Sequence, residues 1–207
     1  GGGITGACVA YDAAGRGFHA DCVALLRQAS QRMHLAFMPG NRDFLVGPGL
    51  LAATGMQALA DPTVLAAFGQ RWLLTHGDAL CLGDVDYLRF RAQVRSPAWQ
   101  QAFLAQPLAE RERQARAMRE ASMAHQAAQG PAQWSDVDDA AAAAWLAGAS
   151  AATMVHGHTH RPGLHALPGG GQRQVLGDWD FDHPGPARAR LLRLTADGLQ
   201  PLDAAVA

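Results

Sequence analysis

Three histidines stand at alternate positions in "MVHGHTHRPG" (154–163): His156, His158 and His160. Neutral imidazole is a common metal ligand. Alternate residues of an extended segment point the same way, and a glycine between ligands lets the backbone turn tightly around an ion. A second His-Gly pair, in His76-Gly77-Asp78, follows the apolar run of "RWLLTH" (71–76). A histidine-rich surface loop, or a set of satisfied core histidines, would explain either stretch alone. Two such loops after apolar strands argue for chemistry. A third polar stretch is "GNRD" (40–43), and its Asn41 is the sole asparagine in the chain. An amide carbonyl is a neutral ligand oxygen, and the amide NH2 can donate to a phosphate. Arg42 offers a bidentate fork for phosphate oxygens. Asp43 is expected to hold the loop together.

These residues need elements to position them. "FHADCVALLRQASQRM" (18–33) has helical spacing and "LAFM" (35–38) reads as a short strand. "FLVGPGLLAATG" (44–55) begins as a loop and becomes a short helix ending at Gly55. "TVLAAFG" and "RWLLTH" read as two strands around a turn near Gly69-Gln70. Helices are expected over 85–94, from Ser96-Pro97, over 107–128, and over 135–149 with Ser135 as N-cap. The strand 151–156 follows. The tail segments 173–180, 188–195 and 199–204 read as edge strands. Strands therefore alternate with helices, and three strands end in the three polar loops. In α/β folds ligands sit outside the carboxyl ends of strands. Residues 84–130 carry a helical pattern between two of these loops, as an inserted cap would.

At 207 residues the chain suits one domain with an inserted subdomain. It is 49% hydrophobic and 17% charged, enough for a sizeable core. Net charge is −1, so no global basic field argues for a nucleic-acid partner. All 17 basic residues are arginine. Cys8, Cys22 and Cys81 are scattered and odd in number, which fits a reducing cytoplasm better than a disulfide scaffold. No apolar run reaches the roughly 18–20 residues of a membrane span. The opening "GGGITGACVAYD" lacks the pattern of a signal peptide.

The ordered set GNRD, HGD and GHTH resembles the calcineurin-like metallophosphoesterases. These are dinuclear metal hydrolases on a sandwich of two β-sheets flanked by helices. "PGNRDFLVG" (39–47), "THGDALC" (75–81), "DYLRFRAQVR" (86–95), "SDVD" (135–138) and "VHGHTHRP" (155–162) are similar, more narrowly, to the UDP-2,3-diacylglucosamine diphosphatases of lipid A biosynthesis. The resemblance covers about residues 10–195. It implies an α/β (α+β) fold, a four-layer β-sandwich flanked by helices, with 84–130 as the cap. It implies Asn41, His76 and His158 as ligands of one ion of a Mn²⁺ pair, and His160 as a ligand of the other. His156 would be structural, and Asp78 would orient His76. Substrate contacts map to Asn41, Arg42, Asp84, Ser122 and His158, with Asn41, Arg42 and His158 stabilising charge on the transferring phosphorus. Tyr87 and Phe90, one helical turn apart, would either line an acyl groove or simply pack their helix. The implied partners are UDP-2,3-diacylglucosamine and the lipid surface of the inner membrane, contacted peripherally from the cytoplasmic face.

The family also opens with a strand ending in Asp-x-His and carries a bridging aspartate in Gly-Asp-x-x-Glu. Neither motif stands upstream of Asn41. Aligned back from Asp12, "GGGITG" (1–6) falls on the second motif, with Gly3 at the bridging position. The expectation is a fold without its first β-strand and at most one metal ion per chain. Zn²⁺ would suit the remaining imidazoles better than Mn²⁺. The lysines of the family's cap are replaced by Gln126 and Gln129. Two other readings remain: another metallophosphoesterase activity, on nucleotides or phosphoproteins, and a truncated, non-catalytic remnant.

Overall fold

The computed structural model describes residues 17–129, 135–181 and 188–203. Gly3, Cys8 and Asp12 lie outside the described residues, as do the side chains of Gln126 and Gln129. The chain divides into two compact units: residues 60–83 with 136–203, and residues 17–59 with 84–135. Both are mixed α/β.

The first unit is built on a five-stranded sheet. Strands β3 (Thr63–Ala67) and β4 (Gln70–Thr75) form a hairpin. Its two-residue loop, Phe68-Gly69, has φ of 53° and 73°, the paired positive values of a type I′ turn. The turn thus sits one residue earlier than the sequence suggests. Strands β5 (Thr153–His156), β6 (Gly163–Ala166) and β7 (Gln172–Val175) complete the order β3-β4-β5-β7-β6. The inner trio β4, β5 and β7 is parallel, and both edges are antiparallel. The segment 173–180 is therefore not one edge strand. Its first part lies inside the sheet, and β6, not foreseen from the broken apolar pattern of "PGLHALPGGG", forms the edge. Strands β8 (Trp179–Asp180), β9 (Arg188–Thr195) and β10 (Gly198–Asp203) make a separate antiparallel sheet.

One helix of this unit, Asp139–Ala149, packs its small face on the sheet. Ala142 and Leu146, one turn apart, join Leu73, Met154 and Leu167 in the core. Full burial of each such Leu or Met contributes about 1.5–3 kcal/mol. The helix begins at Asp139 and its cap is Asp138, whose carboxylate accepts the Ala141 N–H at 2.8 Å. The Ser135 cap is corrected: residues 135–138 lie outside the helix, with the Asp138 N–H bonded to Leu80 O at 2.8 Å.

The second unit holds helix α1 (Gly17–Ser30), α2 (Pro48–Thr54) and the two-residue parallel pair β1 (Ala36–Phe37) and β2 (Gln57–Ala58). Gly55 ends α2 in the left-handed conformation, its N–H returning to Leu51 O. Three more helices follow: α3 (Val85–Val94), α4 (Pro97–Leu104) and α5 (Leu108–Gln129). The helical reading of this stretch therefore holds. Asp84 and Ser96 cap α3 and α4 by accepting the Tyr87 and Trp99 N–H groups. Phe103 and Leu45 form the buried centre, with Trp99 stacked on Phe103 at a centroid distance of 4.8 Å. The periodic residues Phe18 and Leu25 of α1 stay exposed. The helix Asp139–Ala149 of the first unit is α6.

Candidate active site

The parallel register decides where the histidines go. Thr75 of β4 pairs with His156 of β5, and His156 pairs with Val175 of β7. Beyond the strand ends the ladder continues into the loops: Gly157 N–H bonds His76 O at 3.2 Å, and Leu176 N–H bonds His156 O at 2.7 Å. The two His-Gly loops are thus neighbours at the carboxyl edge of the sheet, where such folds gather ligands. His76 and His158 meet edge to face, with ring centroids 5.1 Å apart and planes at 64°.

His156 is a different kind of residue. It is fully buried. Its Nδ1 lies 2.9 Å from Gly157 O, and its Nε2 lies 3.5 Å from Nη1 of Arg173. Arginine only donates, so Nε2 accepts and Nδ1 carries the hydrogen. Both ring nitrogens are thereby engaged inside the protein. Burial lowers its pKa to about 4; the Gly157 bond and Asp136 oppose this, while Arg173 and His158 reinforce it. The imidazole is neutral at physiological pH.

The stretch after β5 is not extended. His158 and His160 have φ of 65° and 52°, left-handed values that ordinary residues avoid and histidine tolerates better than most. The three alternate histidines therefore do not share one face of an extended segment, as their spacing suggests. His158 is half-buried beside His76, and His160 is exposed. Two non-glycine residues in the left-handed region within three positions place local strain in this loop.

Asp61 organises the His76 loop, and nothing in its sequence context announces this. Its Oδ1 accepts from Thr75 Oγ1 at 2.5 Å and from the His76 N–H at 3.2 Å. Thr75 Oγ1 in turn accepts the Gly77 N–H at 3.2 Å. Asp78, fully buried, opens a 3-10 turn over Asp78–Leu80.

The remaining site residues from the sequence belong to the second unit. Asn41, Arg42 and Asp43 are half-buried in one loop. The Asp43 carboxylate accepts the Gly40 N–H, so it does hold the loop. Arg95 adds a clamp, its Nη2 donating to Pro39 O at 3.3 Å and Gly40 O at 3.2 Å. Its position at the end of "DYLRFRAQVR" was the available signal. Arg42 Nη2 donates to Ser122 Oγ of α5 at 3.4 Å. Burial, then the charge of Arg119, lowers the Arg42 pKa, with Tyr87 opposing. Asp84 caps α3 through Oδ1. Phe90 lines a cavity of about 320 Å³ with Val94, Trp99, Gln114 and Met118, while Tyr87 is not among its lining residues.

The family resemblance implies metal ions, and the residues can be tested for fit. A tetrahedral ion binds imidazole nitrogens at roughly 2.0–2.1 Å. That places two ring centroids about 5 Å apart, the separation found for His76 and His158. Among the described residues, however, no group of three or more histidines, cysteines or carboxylates gathers as a metal cage. The pair has the centroid spacing of two imidazoles on one ion. The described residues do not supply a carboxylate-bridged pair of ions.

No protein-family model matches the sequence. Individual relatives do. UDP-2,3-diacylglucosamine hydrolase of Ralstonia nicotianae is 45% identical over 186 residues, spanning 86% of this chain and 69% of the relative. The enzyme of that name from Xanthomonas campestris pv. campestris is 45% identical over 191 residues, covering 87% and 75% respectively. This chain belongs to the UDP-2,3-diacylglucosamine hydrolase family. A further hydrolase of the family, from Chromobacterium violaceum, is 46% identical over 157 residues. There the match spans 76% of this chain and 66% of the relative, just under two thirds of its length.

Proposed function

We propose that this chain hydrolyses the pyrophosphate bond of UDP-2,3-diacylglucosamine, releasing UMP and 2,3-diacylglucosamine 1-phosphate in lipid A biosynthesis. The observation that carries the reading is 45% identity over 191 residues to a hydrolase of that name. The His76–His158 pair at the strand ends supports it. In this reading the five-stranded and three-stranded sheets are the two sheets of a metallophosphoesterase sandwich, and residues 84–130 are its cap. His76 and His158 hold one divalent ion, Zn²⁺ or Mn²⁺. The resemblance adds Asn41 to that ion and assigns His160 to a second. When bound, such an ion polarises a phosphoryl oxygen and lowers the pKa of water.

The chain's own groups supply binding and charge. Arg42, partly dehydrated and turned toward Ser122, can present two N–H groups to phosphate oxygens. Partial burial strengthens that attraction over its value in water, and fixed donors aimed at developing charge are the main source of rate in such reactions. Ser122 Oγ and the Asn41 amide add further donors, and Asp84 can accept a substrate hydroxyl. No side-chain nucleophile is required. Among the described residues no helix is long and apolar enough to cross a membrane. A peripheral position at the cytoplasmic face of the inner membrane would bring the enzyme to its lipid substrate.

The test is an assay of the 207-residue chain with UDP-2,3-diacylglucosamine and added Mn²⁺ or Zn²⁺. Release of UMP that vanishes in His158→Ala supports the reading. Hydrolysis of simple phosphodiesters without turnover of the lipid would favour a broader metallophosphoesterase. Turnover of neither would favour a non-catalytic member of the family.

A further inference from the structure

The "SDVD" stretch takes no part in the chemistry above, yet its Asp136 lies at the centre of an ion-pair network. Its carboxylate meets two arginines. Arg173, whose side chain is 7% exposed, approaches with Nη1 to Oδ1 at 3.3 Å and Nη2 to Oδ2 at 3.3 Å. Arg161 places Nη1 2.9 Å from Oδ2. The Val137 N–H fills a further site on Oδ1 at 2.8 Å.

Each arginine leads to one end of the histidine loop. Arg173 stands 3.5 Å from His156 Nε2, at the end of β5, and is steadied by Asp139 at 3.3 Å. Arg161 follows His160 directly, and its carbonyl oxygen lies 3.2 Å from His165 Nε2 of β6. Both ends of the loop 156–161 are therefore tied to one carboxylate. Between them His158 and His160 keep left-handed backbones, which persist only where the surroundings over-determine them. The same segment reaches the other histidine loop, because the Asp138 N–H bonds the carbonyl of Leu80, at the end of the turn that follows His76-Gly77.

We propose that Asp136 is a positioning residue: through Arg173 and Arg161 it clamps the loop that presents His158 to His76. A carboxylate suits the task because it accepts from several donors at once and bears the charge that two guanidiniums require. An asparagine would keep the shape, lose the charge and turn a donor toward an arginine. The proposal gains its functional meaning from the assignment of His158 to the site, but its test reads the loop itself.

The test is NMR on the 15N-labelled 207-residue chain and three variants. Arg161→Gln changes a partly exposed arm and leaves the buried Arg173 contact alone. It should retain the sheet amide shifts, while His158 and His160 lose their heteronuclear NOE and the ring contact between His76 and His158 fades. Asp136→Asn should do the same, and Asp136→Glu should restore part of the order. Wild-type NOE values at His158 and His160 in Arg161→Gln would overturn the clamp, whether or not Asp136→Asn folds. A purely structural aspartate would lower Tm without singling out these two residues. Zn²⁺ titration separates the two readings. A mobile loop with affinity reduced by about 10–100-fold supports both the clamp and the metal site. A mobile loop with unchanged Zn²⁺ affinity supports the clamp and counts against the metal site.

Discussion

Gly77 and His156 stand so close that a Cβ on the glycine would lie 2.9 Å from Nδ1 of the imidazole and 3.3 Å from its Cβ. The two His-Gly motifs thus fit into each other. Gly77 also has φ of 100°, outside the range that side chains favour. Gly77→Ala should therefore either displace His156 or leave its strained turn. The expected loss is about 1–3 kcal/mol, with Tm lowered by roughly 2–4 °C per kcal/mol. Thermal unfolding followed by circular dichroism checks this. An unchanged Tm would mean that the loop relaxes freely and that the contact carries no constraint.

The Asp136 network gives stability a pH dependence. Burial pushes the Asp136 carboxyl upward, but the Val137 N–H and the charges of Arg173 and Arg161 override it, and the net direction is below the ordinary 3.8. A carboxylate with a depressed folded pKa contributes stability that is fully present above its unfolded value. That stability is lost as pH falls through the folded pKa. Denaturant unfolding between pH 6 and pH 2 should show a decline below pH about 4 that is shallower in Asp136→Asn. Parallel curves for the two proteins would remove Asp136 as a source of acid sensitivity.

The sequence revealed the three loops because rare residue types marked them: one asparagine, two His-Gly pairs, and arginine beside them. Strand ends were legible where long apolar runs stopped, as at Thr75 and His156. Contacts set by register were not. Asp61 and Asp136 look like any loop aspartate until the β3–β4 hairpin brings Thr75 and His76 to the first and β7 brings Arg173 to the second. Ser135 and Asp138 are both good caps by type, and only the bond from the Asp138 N–H to Leu80 chose between the possible helix starts. The strands β2 and β6 span two and four residues, too short for periodicity to declare. Nor can alternation reveal a left-handed backbone such as that of His158 and His160.

Arg42 lies in the loop held by Asp43 and Arg95, and its Nη2 makes a long bond to Ser122 Oγ. Its removal should leave the loop intact, because neither clamp passes through it. In an active member of the family, the equivalent of Arg42→Ala should lower kcat/KM by the equivalent of about 2–4 kcal/mol and leave bound metal unchanged. Arg42→Lys should recover only part of the rate, since lysine cannot offer the bidentate fork. Steady-state kinetics beside metal analysis reads both. Loss of metal in Arg42→Ala would move its role from phosphate to the ion.

Metal content tests the proposed role of His76 and His158. The ring centroids of His76 and His158 lie at the spacing that one ion asks of two imidazoles. No three histidines, cysteines or carboxylates gather among the described residues. Two adjacent divalent ions without a bridging carboxylate repel each other strongly. A neutral set of imidazole and amide ligands also leaves the charge of an ion uncompensated, and Mn²⁺ prefers carboxylate oxygens whereas Zn²⁺ accepts imidazole well. The expected content after saturation and dialysis is therefore one ion or fewer per chain, with Zn²⁺ retained better than Mn²⁺. His158→Ala should abolish retention. His156→Gln should not remove a ligand, because both nitrogens of that ring are already engaged within the protein. Elemental analysis of the three proteins checks the set. Two firmly held Mn²⁺ ions would require carboxylate ligands beyond those described and would overturn the single-ion expectation.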